Sequence, residues 1–157
     1  MHGPELGRIE ATIRAKIRPC QKEDLPALEW MGLYRPDRHI IRETFEMQQR
    51  GEALMLLAVS ADFPIAQVWI DFARKRAEQV AVLWAIRTFF PLQGAGIGRQ
   101  MMHAAERVAR HRGFHSAQLK VDADNDRASS FYRNRGWRPI GWDEHGRRVM
   151  TKELNGL

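Results

Sequence analysis

Three glycines at every second position, in Gln93-Gly94-Ala95-Gly96-Ile97-Gly98 followed by Arg99, make up the stretch of this chain best suited to hold an anion. Glycine lets backbone N–H groups approach an anion with no Cβ in the way, and a helix starting there adds unpaired donors and the positive end of its dipole. The flanks supply the right order of elements. Val80 to Ile86 is apolar and rich in β-branched and aromatic residues, as a buried strand is, and Ile97, Met101, Ala105, Val108 and Ala109 fall on one helical stripe. A nucleoside-triphosphate loop is excluded, because Gly98 is followed by Arg99-Gln100 and not by Lys-Ser or Lys-Thr. A dinucleotide fingerprint fits poorly, because the glycines are spaced GxGxG and Leu119 and Lys120 stand where its acidic ribose partner belongs.

A second group of residues follows: Leu119-Lys120-Val121, then Asn125, Ala128, Tyr132 and Gly136-Trp137. Asn125 and Tyr132 lie two helical turns apart at about 3.6 residues each, so both can face one crevice. The Gln-x-x-Gly-x-Gly form of the turn resembles the acetyl-coenzyme A pyrophosphate loop of the GCN5-related N-acetyltransferase (GNAT) family. The Asn, Ala, Tyr and Gly-aromatic series resembles that family's strand and following helix. Both motifs occur in order, and the resemblance extends from roughly Ile13 to Leu154.

That resemblance implies an acetyl-coenzyme A-dependent N-acetyltransferase that transfers directly to a primary amine of a small molecule or peptide, with no metal and no enzyme nucleophile. Arg87, Thr88 and Phe89, at a strand end splayed from its neighbour, would present backbone groups to the pantetheine arm and acetyl carbonyl. The amides of Ala95, Gly96, Ile97, Gly98, Arg99 and Gln100, with Gln93 at the motif's first position, would hold the pyrophosphate. Asn125 would bond the pantetheine arm, Arg99 or Arg127 would meet the nucleotide phosphates, and Tyr132 would donate a proton to the departing thiolate. A phenol of reference pKa about 10 carries that proton at neutral pH, and the thiolate it meets has a reference pKa of about 8.5. An aliphatic amine, with a reference pKa near 10.4, must lose a proton before it attacks. Here the family's pattern breaks: Lys120 stands where some members carry a glutamate, and Val82 and Trp84 where others have acids. Glu78, Asp71, Asp122 or water remain as candidate bases. Phe90 in place of a common proline and Trp137 in place of a common phenylalanine leave the amide cradle unchanged.

The elements that must position these residues can be taken in chain order. Ile13 to Arg18 reads as a strand ended by Pro19, and a helix starts near Asp24 as its cap, with Pro26 in the first turn. A polar break at Tyr34 to Arg38 precedes a second helix to about Arg50, closed by Gly51. In the family a loop between such helices overhangs the acceptor pocket. Ala53 to Ser60 and Ile65 to Phe72 form a hairpin about Ala61-Asp62-Phe63-Pro64, and Val80 to Thr88 follows as the next strand. Gly113 ends the long helix as a left-handed cap. Ser116 to Val121 is a strand and Ala128 to Arg135 a helix, and Trp137 to Trp142 with Arg147 to Leu154 make a final hairpin. The expected fold is α/β (α+β): one GNAT-like domain over 1–157, with a mixed, mostly antiparallel sheet of about six or seven strands, flanked by about four helices and splayed at the cofactor site.

Composition agrees with a globular protein: 157 residues, 44% hydrophobic and 28% charged, with no apolar run of the roughly 18 residues a membrane span needs. The N-terminal Met1 to Glu5 has no signal-like basic and apolar pattern, and the lone Cys20 has no internal disulfide partner, so a cytoplasmic protein is expected. Lys and Arg number 25 against 19 Asp and Glu, a formal net charge of +6, with arginines crowding the second half. The charge raises a basic nucleic-acid-binding protein as an alternative, but no zinc spacing, RNA-binding sheet signature or long charge block supports it. The missing base raises another, a coenzyme A-binding module without transfer. His39, His103, His111, His115 and His145 show no metal-ligand spacing, and Trp69, Trp84, Trp137 and Trp142 read as core or pocket walls. Edge-strand pairing in the family implies a homodimer.

Overall fold

The apolar runs become seven strands of one sheet: β1 (Lys16–Pro19), β2 (Ala53–Ser60), β3 (Phe63–Lys75), β4 (Val80–Thr88), β5 (Ser116–Val121), β6 (Arg138–Trp142) and β7 (Arg148–Glu153). Their spatial order is β1-β2-β3-β4-β5-β7-β6, and every neighbouring pair is antiparallel except β4 and β5, which run parallel. Three α-helices, α1 (Arg38–Gln49), α2 (Ile97–His111) and α3 (Asp126–Arg133), join a 3-10 helix over Lys22–Glu29. This computed structural model describes residues 3–155; Met1 and His2 of the stretch read for a signal, and the outermost ends of the expected 1–157 domain, lie outside them.

Each face of the sheet has its own core. On one, Met101, Met102, Ala105 and Ala109 of α2 pack on Leu54, Ile70, Leu83, Leu119 and Met150. On the other, Leu28 and Ile41 cover Met55, Leu57 and Trp69. That second cover stops short of β5, where buried Ala117, Leu119 and Val121 alternate with half-buried Ser116, Gln118 and Lys120. The polar members of this alternation form an open face of the sheet.

Several expected boundaries move, for local reasons. β1 starts at Lys16 and not at Ile13, because Lys16 pairs with Val59 and the β2 partner strand ends one residue later. Asp24 does not cap the first helix but sits three residues after the cap, where its carboxylate accepts from the Gln21 amide at 2.7 Å and takes a two-pronged ion pair from Arg18. The β2–β3 hairpin turns on two left-handed residues, Ala61 and Asp62, so Phe63 and Pro64 join the strand. β3 runs on to Lys75, which pairs with Val80 across an irregularity in register. α3 begins at Asp126 because the Asn125 side chain caps it. Trp69 and Trp137 are buried and Trp84 is a cavity wall. Trp142 departs from expectation: it lies 58% exposed on the β6 edge, with the Arg148 guanidinium 5.0 Å above its ring, because among the described residues no further strand pairs with β6.

Candidate active site

The glycine turn folds as its residue types require. Gly94 and Gly96 take φ of 86° and 83°, the left-handed region that costs glycine nothing. Gly96 is the N-cap of α2 and has no side chain to bond the first amides. The amides of Ile97, Gly98 and Arg99 are therefore left without intrahelical acceptors, and among the described residues those of Gly94, Ala95 and Gly96 have no backbone acceptor either. Gln100 departs from the expected amide set, since its N–H donates to the Gly96 carbonyl at 3.4 Å and belongs to the helix. Gln93 serves as a brace: its side-chain amide donates to the Thr88 carbonyl at 3.2 Å and ties the turn to the end of β4. Gly98 lies where α2 meets α3, and a Cβ there would come within 3.4 Å of Phe131.

β4 is shaped by a bulge. Trp84 pairs with Trp69 and Arg87 with Gln67, so Ala85 and Ile86 together oppose the single residue Val68. Ala85 takes a φ of 50°, and the Gln67 side chain, 1% exposed, donates to its carbonyl at 3.0 Å. On its other side β4 pairs with β5 only through Val80, Ala81 and Val82, and the strands then part. Leu83 to Thr88 thus have no strand partner on the β5 side, which is the expected splay.

Arg87 does not offer its guanidinium to a ligand. It donates to the Leu28 carbonyl at 3.1 Å and to Gln67 at 3.3 Å, and it lies over the rings of Tyr34 at 3.4 Å and Trp30 at 4.8 Å. Burial pulls its pKa below the ordinary arginine value. The residue clamps the segment after the first helix onto the end of β4. Phe89 is also engaged, its amide donating to the Ile65 carbonyl at 2.7 Å and its ring packing edge-on against Trp30 and Phe63.

Between the glycine turn, the end of β4 and α3 lies a cleft of about 740 Å³. Arg99 and Arg127 border it, as does Arg135, which sequence reading missed. Arg135 is braced by a bond to the Phe131 carbonyl at 2.8 Å and by stacking 3.7 Å over the Phe131 ring. Asn125 spends its Oδ1 on the Ala128 amide at 3.0 Å, and among the described residues its side-chain N–H groups have no acceptor. Tyr132 is 8% exposed, packed edge-on to Phe131 and Trp137, and among the described residues its hydroxyl has no hydrogen-bond partner. Burial pushes its phenol up to about 12. Phe131 forms the α3 wall of the cleft, and neither Asn125 nor Tyr132, expected to face one crevice, lines it, because Tyr132 turns into the core.

A second cavity, of about 640 Å³, opens on the polar face of β4 and β5, and Ile86 borders both spaces. Of the three candidate bases Asp71 lines this cavity, with one oxygen taken by the amides of Ala73 and Arg74 at 2.9 Å each. Glu78 sits apart, 3.8 Å from Lys75, and Asp122 lines neither space. Asp143 and Glu144 line the cavity unforeseen, because a register far along the chain carries the β6–β7 turn to Lys120. Cys20 is buried beneath the first helix, and burial pushes its thiol up to about 12. Among the described residues no group of three or more His, Cys, Asp and Glu is placed to hold a metal, and no helix is long and apolar enough to cross a membrane.

A model of the acetyltransferase (GNAT) family matches residues 20–137, which span the glycine turn, the splay and α3; the chain belongs to this family of acetyltransferases. Solved structures share the fold. The PaiA N-acetyltransferase of Thermoplasma acidophilum, in complex with coenzyme A, aligns with a TM-score of 0.75 at 19% identity, covering 90% of this chain and 99% of that one. A spermidine N-acetyltransferase chimera from Vibrio cholerae and hSSAT gives 0.74 at 14%, covering 90% and 96%. The ribosomal-protein-S18-alanine N-acetyltransferase of Escherichia coli gives 0.67 at 19%, covering 90% and 94%. A search of curated proteins found no match.

Proposed function

We propose that this chain transfers an acetyl group from acetyl-coenzyme A directly to the primary amine of a small molecule or peptide. One observation carries the reading: β4 bulges and parts from β5, and the cleft at the glycine turn and the cavity over β4 and β5 share Ile86. Two reactants, one in each space, would come together there, and that proximity supplies much of the rate.

The residues fit the cosubstrate. Amides of Gly94 through Arg99 without acceptors suit a pyrophosphate, with Arg99 and Arg127 at the border of the same cleft. The side-chain N–H groups of Asn125 and the unpaired edge of Leu83 to Thr88 suit the amides of a pantetheine arm. When bound, the cosubstrate supplies an acetyl thioester, and the N–C bond forms as the C–S bond breaks.

The chain's own part is to place the amine and manage two protons. Asp71, alone of the candidate bases on the acceptor side, takes the amine's proton directly or through water. Tyr132 keeps its proton to high pH and, with no acceptor among the described residues, donates a hydrogen bond to the developing thiolate, which takes a proton as the phenol is resupplied from water. The test is steady-state transfer to a broad amine panel, with Tyr132→Phe as the variant. Loss of about 10² in kcat with unchanged coenzyme A binding is expected. A wild type that binds coenzyme A and acetylates nothing would instead be a binding module. We place the protein in the cytoplasm, where unpaired Cys20 stays reduced, as a homodimer joined at the exposed β6 edge; sedimentation at micromolar concentration tests the assembly.

A further inference from the structure

The cavity that adjoins the cofactor cleft at Ile86 is lined by Trp84, Gln118 and Lys120, and the charges about it decide what it can bind. Four cations and three carboxylates line it, so their number alone settles little. Which groups remain free settles more.

The three carboxylates differ in how far they are engaged. Asp143, with a side chain 3% exposed, accepts from the amides of His145 and Arg147 at 2.9 and 2.8 Å, from the Arg147 guanidinium at 2.8 Å, and has Lys120 Nζ at 3.4 Å. Burial opposes its ionisation, but these bonds outweigh it and hold the carboxyl at about 2. Asp143 is thus a fixed anion that anchors two cations. Asp71 has one oxygen committed to backbone amides, and Glu144 lies at the solvent rim beside His145.

The cations have donors to spare. Among the described residues the Arg74 guanidinium has no hydrogen-bond partner, Arg147 engages Asp143 through Nε and leaves both terminal nitrogens, and half-buried Lys120 has Asp143 as its one ion-pair partner. An anion entering here meets several charge-assisted donors, whereas a second ammonium group meets one carboxylate already neutralised, Asp143, and two others that are half engaged or at the solvent rim. Trp84, 37% exposed, offers an apolar wall to a short carbon skeleton.

We propose that the acceptor is a small amine that also bears an anionic group, carboxylate or phosphate, received by Lys120, Arg74 and Arg147. This rests on the acetyl-transfer reading and narrows it to a substrate class. The amine of such a molecule is left facing the Ile86 junction, where transfer occurs, in the cavity that Asp71 also lines.

The experiment compares kcat/KM of the full chain for propylamine, putrescine, β-alanine and phosphoethanolamine, in the wild type and in Lys120→Glu. At least one anionic amine should exceed propylamine by about tenfold or more, the size that one charge-assisted bond gives, and the two anionic amines separate carboxylate from phosphate. Lys120→Glu should cut that ratio by at least about tenfold and raise putrescine relative to both anions. Calorimetric titration of the coenzyme A-loaded protein with the same four amines measures the preference without turnover. Propylamine or putrescine matching the anionic amines in both measurements, or a ratio untouched by Lys120→Glu, overturns the proposal. Thermal stabilisation by coenzyme A keeps the two readings apart: if it is present without anion preference, this proposal alone fails, and if it is absent the acetyl-transfer reading fails and takes the proposal with it.

Discussion

Gly96→Glu separates the strain of a side chain at a left-handed position from the loss of an anion site. Gly96 has φ 83°, and a Cβ there meets nothing nearer than the Arg99 guanidinium at 3.9 Å, so the structural cost is backbone conformation alone. For a non-glycine residue that cost is about 1–2 kcal/mol, which lowers Tm by roughly 2–8 °C in a chain of this size. The functional cost is different in kind, because the carboxylate stands at the mouth of the unpaired amides. Coenzyme A at about 100 times its Kd stabilises the wild type by about 2.7 kcal/mol, or roughly 5–11 °C, and the variant should lose that shift. Gly113→Glu is the control. Gly113 has φ 89° with nothing within 4 Å of a Cβ, just beyond the opposite end of α2, so the same side chain imposes the same strain far from the turn. It should lower Tm at least as much and keep the full ligand shift. Differential scanning fluorimetry with and without coenzyme A reads both. A folded Gly96→Glu that keeps the shift, or a Gly113→Glu that loses it, refutes the assignment of the turn as the cradle.

Three further outcomes follow from the structure. Gln67→Leu removes the bond to Ala85 and one partner of the buried Arg87, and should cost about 1–3 kcal/mol in chemical denaturation together with a fall in kcat/KM, since the bulge that parts β4 from β5 loses its brace. Asp24 is held below its ordinary pKa by the Arg18 bond, so its contribution is present above the usual carboxylate range and lost as pH falls through its folded value. Asp24→Asn should therefore cost about 1.5–3 kcal/mol at neutral pH and flatten the acid decline below about pH 4. Cys20 and Tyr132 are both raised to about 12 by burial, so the stability they carry is complete below their unfolded values and lost as pH rises toward 12. Cys20→Ala should reduce the slope of stability against pH between about 9 and 12, and native Cys20 should resist thiol reagents at pH 8 until the protein is unfolded.

What could be read from the sequence was what is local in it. The glycine turn, the β4 and β5 runs and the α2 stripe each carry their signal within a dozen or so residues, and β2, β4 and β5 fall within the bounds their apolar patterns give. The splay came from the family resemblance; its physical cause, a bulge held by Gln67 across the β3–β4 register, is a pairing that periodicity does not encode. Arg87 shows the same limit. Its place beside Thr88 suggests a ligand contact, yet its partners Leu28, Trp30 and Tyr34 come from more than fifty residues earlier and turn it into a clamp. The acceptor-side charges were hidden for a like reason, because Asp143 reaches Lys120 only through the β5–β7 and β6–β7 pairings. A turn that reads Asp-x-His-Gly gives no hint of the strand it will face.

The most direct measurement is a coenzyme A titration of the isotopically labelled chain followed by amide chemical shifts. The largest perturbations are expected at Gly94 through Arg99, with Asn125 and the Leu83 to Thr88 edge next, and little change at Gly113 beyond α2. Perturbations centred elsewhere, such as the groove between Ile13 and Gln100, with the glycine-turn amides unmoved at saturation, would contradict the placement of the cosubstrate on which the proposed transfer depends.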